Sequence, residues 1–558
     1  MTKSSLKETP VIWCRCRDTE QAVEAESGEH RLVVDILCGQ RGQAEATKWL
    51  GEIAATRVTV AACSPSVAGD ALEGWAAANG VELAMIDVRG KTLEQTESAL
   101  EHAARTGDGL SPGAERPERV VKSALVIGGG VGGVQAALDI AEGGYQTFVV
   151  ESTYSIGGIM AALDKTFPTM DCSICILGPK LVDASKHKNI ELITAAEVKS
   201  VEGVPGDFKV TIEMSPRYVD MTVCNGCGAC VDVCPVVVPN EWDMNLKPRK
   251  AIHTMFAQSV PMRFAIDKDV CIECGMCMHV CGLNAIDLSQ EPGTRELQVG
   301  AIVVAAGVTT VKGDTKEQYG YGIHENVVTN MEFERIICAS GPTGGDLIRP
   351  DGKPYHRVAF IQCVGSRDTK CHEYCSMYCC IASIKEGRLV MEHSDDSEVS
   401  VFYNDMRASG KGFEELYVRS EEEGMRFVKG LPSEVRENPT NKNPIVVYED
   451  TKTGTQKELE VDLVVLALAL EPSPGLERIA GVLGLECDEY GFVKERELQN
   501  SPLETNVGGV FIAGACSGPR DIPETVSEAS GAASRVCAFF EQAGTDSDGA
   551  RRVPRSRE

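Results

Sequence analysis

Two short cysteine runs restrict this chain more than any other feature. "CNGCGACVDVCP" places Cys224, Cys227, Cys230 and Cys234 in C-x2-C-x2-C-x3-C-P spacing, and "CIECGMCMHVCG" repeats it with Cys271, Cys274, Cys277 and Cys281. This is the bacterial two-cluster run, in which the fourth cysteine of each set ligates the other cluster. One [4Fe–4S] cluster is therefore expected on Cys224, Cys227, Cys230 and Cys281. The other is expected on Cys271, Cys274, Cys277 and Cys234. Zinc would need closed four-cysteine sets, and two complete three-plus-one runs are far more specific to iron and sulfide. Glycines and small residues between the ligands let backbone N–H groups face the sulfurs. The second run ends in Gly282 where the first ends in Pro235.

The rest of the composition fits an electron carrier in a reducing compartment. The chain has 558 residues, 43% of them hydrophobic, enough for about three or four domains. Its 23 cysteines come without the apolar core of a signal peptide at "MTKSSLKETPVIWC". Such cysteines are expected to be metal ligands or redox groups rather than disulfides. No apolar run reaches the roughly 18 residues of a membrane span. A formal charge of −27 disfavours nucleic acid and anionic membrane surfaces as partners. The expectation is a cytoplasmic protein.

A second motif predicts a dinucleotide site. "SALVIGGGVGGVQAALDIAEGGYQTFVVE" sets Gly128, Gly130 and Gly133 in the G-x-G-x-x-G pattern between an apolar strand and an apolar-periodic helix, and a second strand ends in Glu151. The first glycine makes the tight turn, the second admits a pyrophosphate, the third lets helix and strand pack, and the acid accepts from ribose hydroxyls. The helix N-terminus favours the anion. Two further stretches favour FAD. "AIVVAAG" (301–307) and "NVGGVFIAGACSGPRDIPETVSEASGAA" (506–533) resemble the strand-then-glycine motif and the C-terminal flavin segment of two-dinucleotide-domain flavoproteins. Gly157 and Gly158 of "SIGG", Gly307, Gly514 and Ala515 complete the candidate cofactor contacts. Ala515 stands where those flavoproteins carry Asp.

The chain divides by composition. Residues 1–105 read as a small α/β domain and 106–120 as a Gly/Pro-rich charged linker. A flavin-binding domain is expected in three pieces, 121–215, 293–350 and 461–541, with a ferredoxin domain inserted at 216–292. A second βαβ pattern fills 351–460, and 542–558 is a polar tail. In that second pattern "RVAFIQC" (357–363) reads as a strand and "CSMYCCIASIKEGRLVMEH" (375–393) as a helix. The loop between them holds only Gly365, so there is no glycine cradle for NAD(P)H. Cys363, Cys375, Cys379 and Cys380 stand there instead, with Cys375 and Cys379 read as one helical face. They are candidates for a further [4Fe–4S] cluster, favoured by helix N-terminal dipoles, with Cys371 as the spare thiol.

With "LDKTFPTMDCSICILGPK", "FIQCVGSRD…YCSMYCC", "YNDMRASGKGFEELY" and "GPRDIPETV" added, residues of about 10–540 resemble the A subunit of heterodisulfide reductase. The resemblance implies a thioredoxin-reductase-like α/β flavoprotein carrying the ferredoxin insert. It implies an all-cysteine cluster at Cys363, Cys375, Cys379 and Cys380, and an N-terminal cluster whose matching candidates are Cys14, Cys16, Cys38 and Cys63. It implies anaerobic, methanogenic metabolism and flavin-based electron bifurcation or confurcation. The implied partners are B- and C-type subunits, ferredoxin, and a hydrogenase-, formate dehydrogenase- or deazaflavin-linked donor, with a homodimeric assembly. The family's Gly after the N-terminal C-x-C is Arg17 here, and this sequence stops before the family's second ferredoxin domain. A low-potential exit is therefore expected to be absent or supplied by another protein of the complex. No CCG run occurs, so disulfide reduction is assigned to a partner.

Three readings stay open. Cys172 and Cys175 of "DCSIC" are a redox pair, a cluster contribution or structural thiols. Lys165 is a charge beside the reactive flavin edge, stabilising an anionic reduced flavin, or a surface lysine. The function is that of the bifurcating component, a related component serving another acceptor, a non-catalytic electron-transfer scaffold, or an NAD(P)H-dependent ferredoxin-linked flavin oxidoreductase.

Overall fold

Two five-stranded parallel sheets organise most of the chain, and the central strands of each are buried on both faces. In this computed structural model residues 11–14, 31–34, 37, 40–53, 57–62, 72, 74–87, 120–349 and 352–542 are described. They fall into two compact units, one formed by 1–118 with 497–502 and the other by 119–496 with 503–558.

The smaller unit is a four-stranded parallel sheet in the order Arg31–Val34, Val11–Cys14, Arg57–Ala62, Glu82–Asp87. Ile12, Val58, Val60 and Met85 make its core with Leu37, Leu72 and Trp75. Cys14 closes the first strand, is buried, and its Sγ accepts from the Leu37 N–H at 3.3 Å. Cys16, Cys38 and Cys63 lie outside the described residues, as do the tail beyond 542 and all but the end of the linker.

In the larger unit the first sheet runs Val510–Ile512, Ala301–Val304, Ser123–Ile127, Gln146–Glu151, Ile190–Thr194, all parallel. The second runs Val327–Thr329, Leu463–Leu468, Arg357–Val364, Glu398–Tyr403, Arg426–Lys429, again all parallel. Val, Ile, Leu and Ala fill both, because both faces are covered. Helices pack on one face of each, and the other face packs chiefly on a three-stranded antiparallel sheet, Ala196–Val204, Asp207–Met214 and Gly293–Val299 for the first and Glu434–Glu437, Pro444–Asp450 and Thr455–Glu460 for the second. The strand order reverses beside Ser123–Ile127 in one sheet and beside Arg357–Val364 in the other. Such reversals leave a crevice at the carboxyl ends of the strands, where ligands bind.

The ferredoxin-like segment leaves and re-enters at one place. Asp207–Met214 and Gly293–Val299 are antiparallel neighbours, with Gly293 opposite Met214. Within the segment two short helices, Ala229–Asp232 and Met276–Val280, follow glycines in the left-handed region, Gly228 at φ 84° and Gly275 at φ 73°. The segment is anchored by a buried ion pair. Arg335 (1% exposed) donates from Nε to Asp243 Oδ1 at 3.0 Å and from Nη1 to Ala162 O at 2.8 Å. Trp242 stacks on Phe256 at 4.6 Å, and both pack against the core beneath Ile156 and Leu181. Among the described residues no helix is long and apolar enough to cross a membrane.

Candidate functional site

At the carboxyl end of the first sheet the three glycines separate into three jobs. Gly128 turns at φ +109°, and a Cβ on it would fall 2.3 Å from Ala305 O on the next strand. A Cβ on Gly133 would fall 1.9 Å from Gly128 O, so only glycine lets helix Val131–Glu142 sit on its strand. Gly130 is different: a Cβ there meets nothing within 4 Å, and the residue lines a cavity. Glu151 Oε2 accepts from the Gly129 N–H at 2.7 Å, and Oε1 from Thr153 N and Oγ1, both at 2.8 Å.

The cavity measures about 550 Å³, within the roughly 300–1,000 Å³ of cofactor pockets. Gly128, Gly130, Glu151, Gly158, Gly307 and Ala515 all line it. Gly133, Gly157 and Gly514 stand behind it: Gly157 N–H donates to Gly129 O at 2.8 Å, and a Cβ on Gly514 would fall 2.7 Å from Thr525. Helix Ile522–Gln542 starts at the cavity, where Asp521 Oδ1 accepts from Glu524 N at 2.8 Å. An open glycine turn, an acid one strand away and a helix N-terminus together fit a flavin dinucleotide.

Sequence reasoning missed the charged wall of this cavity. Lys385 and Glu334, each 2% exposed, pair directly, and Glu334 Oε2 also accepts from the Asp164 N–H at 3.0 Å. Glu386 beside them is 1% exposed and neither of its oxygens has a hydrogen-bond partner. Burial, then the charge of Glu334, pushes its carboxyl well above the usual range against the opposing pull of Lys385, which favours the protonated form. Tyr378 donates to Leu468 O at 2.8 Å and accepts from Asn330 Nδ2 at 3.1 Å. Glu334, Lys385, Glu386, Tyr378 and Asn330 all line the cavity. The signal in the sequence is the pair Lys385–Glu386, four residues after Ile381 and Ala382, in the first half of a helix whose residues from Cys379 to Gly387 are all buried. Lys165 also lines the cavity, but its ammonium, 30% exposed, turns to Glu392 at 2.9 Å.

At the matching end of the second sheet the thiols gather. Cys363 sits at φ +57° where the ladder to Leu463–Leu468 shifts register, and Gly365 follows at φ +84°. Cys379 is buried; burial first, then the thiols of Cys380, Cys363 and Cys375, drive its thiol far up. Burial likewise pushes Cys380 up to about 11. One expectation fails here. The helix begins at Cys379, not Cys375, so those two do not share a helical face. Met377, at φ +61°, breaks the helical path, and Ser376 N–H bonds to Ser366 Oγ at 3.1 Å instead. Cys375 therefore reaches the group from a loop. Cys371 is drawn elsewhere: the Lys316 ammonium is held up by Asp368 chiefly and by Cys371 besides.

In the inserted segment Cys234 lines one small cavity, about 20 Å³, with Cys271, Cys274 and Cys277. Cys224, Cys227 and Cys230 are electrostatic neighbours, and burial raises the Cys230 thiol to about 11. Among the described residues no three His, Cys, Asp or Glu side chains converge as ligands of a single ion do.

Comparison with known proteins decides the family. The 4Fe-4S binding domain model matches residues 217–239 and 264–287, and the pyridine nucleotide-disulphide oxidoreductase model matches 411–533. The iron–sulfur A subunit of CoB–CoM heterodisulfide reductase from Methanocaldococcus jannaschii is 46% identical over 90% of this chain and 79% of its own length. The chain belongs to the family of heterodisulfide reductase A subunits. A second member, the A subunit of the H2:CoB–CoM heterodisulfide, ferredoxin reductase of Methanothermobacter thermautotrophicus, is 44% identical over 89% of this chain and 78% of its own. Among solved structures, the thioredoxin reductase of Lactococcus lactis matches with a TM-score of 0.43 and 15% identity, over 76% of this chain and 100% of that one. As a member of this family with flavoprotein and ferredoxin domains, the chain is an oxidoreductase that carries a flavin and iron–sulfur clusters and transfers electrons between them.

Proposed function

We propose that this protein is the flavin hub of a heterodisulfide-reductase-type complex, dividing electron pairs between ferredoxin and a disulfide-reducing partner of B and C type. Three relatives carry H2 or H2/formate together with ferredoxin in their names, which supports a hydrogenase- or formate dehydrogenase-linked donor. The ligand sets proposed are Cys224, Cys227, Cys230 and Cys281; Cys271, Cys274, Cys277 and Cys234; and Cys363, Cys375, Cys379 and Cys380. Cys14, Cys16, Cys38 and Cys63 are proposed for a fourth, N-terminal cluster.

FAD, when bound, supplies the exchange between paired and single electrons. The protein's own groups set the conditions. Gly128, Gly130 and the helix N-terminus beside them receive the pyrophosphate, and Glu151 the ribose. Lys385 offers positive charge that favours an anionic reduced cofactor, while Glu386, whose buried carboxyl favours its protonated form, stands in the same wall. Tyr378 and Asn330 close the wall toward Cys379 and keep water out.

The observation that supports this reading is the loop at the second sheet's crevice, where the strand's end carries Cys363, the next helix starts at Cys379 and Cys380, and Cys375 stands between them in place of a glycine turn. The test is flavin bleaching in the anaerobically isolated protein. Reduced ferredoxin is expected to bleach the flavin and NADPH to leave it oxidised; rapid bleaching by NADPH would replace this reading with that of a nicotinamide-dependent reductase.

A further inference from the structure

The cysteines of "DCSIC" take no part in the sites above. We propose that Cys172 and Cys175 form a solvent-reachable disulfide/dithiol pair that exchanges electrons with the dithiol of a partner protein.

The two are joined as a disulfide with their Cα atoms 5.2 Å apart, at the start of helix Ser173–Lys186. Cys172 is the N-cap residue, and its sulfur accepts from the Cys175 N–H at 3.3 Å. The turn is locked from below by Ser173, whose Oγ donates to Met160 O at 2.7 Å and whose N–H donates to Asp164 O at 2.9 Å. Cys175 is exposed, and the neighbouring Ile176 is 40% exposed. Neither sulfur lines the flavin cavity, so the pair meets other proteins rather than the flavin. A bridge that closes so short a loop removes less unfolded-state freedom than a long one, so it is a weak staple.

The two sulfurs divide the chemistry. The exposed Cys175 sulfur is the one an incoming thiolate can attack. The Cys172 sulfur is the better leaving group, because the helix N-terminus and the Cys175 N–H stabilise its thiolate. Attack forms a mixed disulfide at Cys175 and breaks the Cys172–Cys175 bond, releasing the Cys172 thiolate. The partner's second thiolate then attacks its own sulfur in the mixed disulfide, closing the partner's disulfide and releasing the Cys175 sulfur. The net step moves two electrons and two protons from the partner dithiol to the pair. In the other direction the reduced pair is the donor.

The test uses the full chain with its cofactors, held anaerobically in dithiothreitol redox buffers. The state of the two cysteines is read by alkylation and peptide mass spectrometry. The expected result is reversible interconversion of disulfide and dithiol with the flavin retained. After reduction at pH 7, Cys172 is expected to alkylate roughly tenfold faster than free N-acetylcysteine. In Cys172→Ser, Cys175 is expected to capture a thioredoxin-class protein, activated at its exposed thiol, as a stable mixed disulfide. A bridge that resists excess dithiothreitol in the native protein would overturn the proposal. So would a pair that never oxidises, or a Cys172 no faster than the free thiol. The alkylation readout uses the unmutated protein, so it stands whether or not the serine variant folds.

Discussion

The two parallel sheets of the larger unit share a strand arrangement but not a ligand chemistry. In the first, the strand beside the reversal ends in Gly128, Gly129 and Gly130, and the crevice opens into a cavity of about 550 Å³. In the second, the strand runs into Cys363 and Gly365, and thiols crowd the same position. Topology makes the crevice; the loop decides what fills it. A glycine turn offers bare N–H groups to a phosphate, whereas the second loop offers sulfur. One helix, Cys379–His393, serves both: its first residues join the thiols, and Lys385 and Glu386 face the flavin cavity.

The largest effects are expected where the first loop has no room. Gly133→Val would drive side-chain carbon into Gly128 O, and we predict loss of bound flavin and of soluble folded protein, read by flavin absorbance and yield. The matching change in the second sheet, Gly365→Ala, meets Val311 at 3.0 Å and Ala469 and Thr315 at an ordinary 3.6 Å, but must hold φ +84°. It is expected to cost about 1–2 kcal/mol and to leave the flavin in place.

Next come the buried pairs that tie these regions together. Lys385→Met leaves Glu334 buried without its partner and should cost about 3–5 kcal/mol in denaturant unfolding. Lys165→Met, at a half-exposed pair, should cost under about 1 kcal/mol. Equal costs would show that the charged wall has been placed on the wrong lysine. Arg335→Met is expected in the range of Lys385→Met, and limited proteolysis should then release the ferredoxin segment, whose Asp243 it anchors.

A smaller effect concerns pH. Glu386 binds its proton more tightly folded than unfolded, so the unfolded chain ionises first as pH rises above the ordinary value of 4.5. Fewer protons on the unfolded state mean that stability falls with rising pH, by up to about 1.4 kcal/mol per unit until the folded group ionises. Glu386→Gln is expected to flatten this slope in unfolding curves taken from pH 5 upward. An unchanged slope would mean that Glu386 is ionised in the fold.

The parts of the molecule legible in the sequence are those in which a ligand or a turn fixes both residue type and spacing. The eight ferredoxin cysteines and Gly128, Gly130 and Gly133 are of this kind, because each position answers to local geometry. The loop thiols are half legible. Their number is plain, but the spacing puts Cys375 on a helix that Met377 interrupts, a break set by Ser366 and Ser376 meeting across the loop. Glu334 and Lys385 are not legible as a pair. They are 51 residues apart and meet only because two helices pack together, so no local pattern announces them.

The central claim is that the second crevice holds a metal cluster in place of a nucleotide. Iron and acid-labile sulfide per chain, measured anaerobically in the unmutated protein and in Cys363→Ser/Cys379→Ser, test it most directly. The double variant is expected to lose about four iron and four sulfide while keeping its flavin and its ferredoxin-type clusters. Unchanged iron and sulfide in a folded, flavin-bound variant would contradict the account.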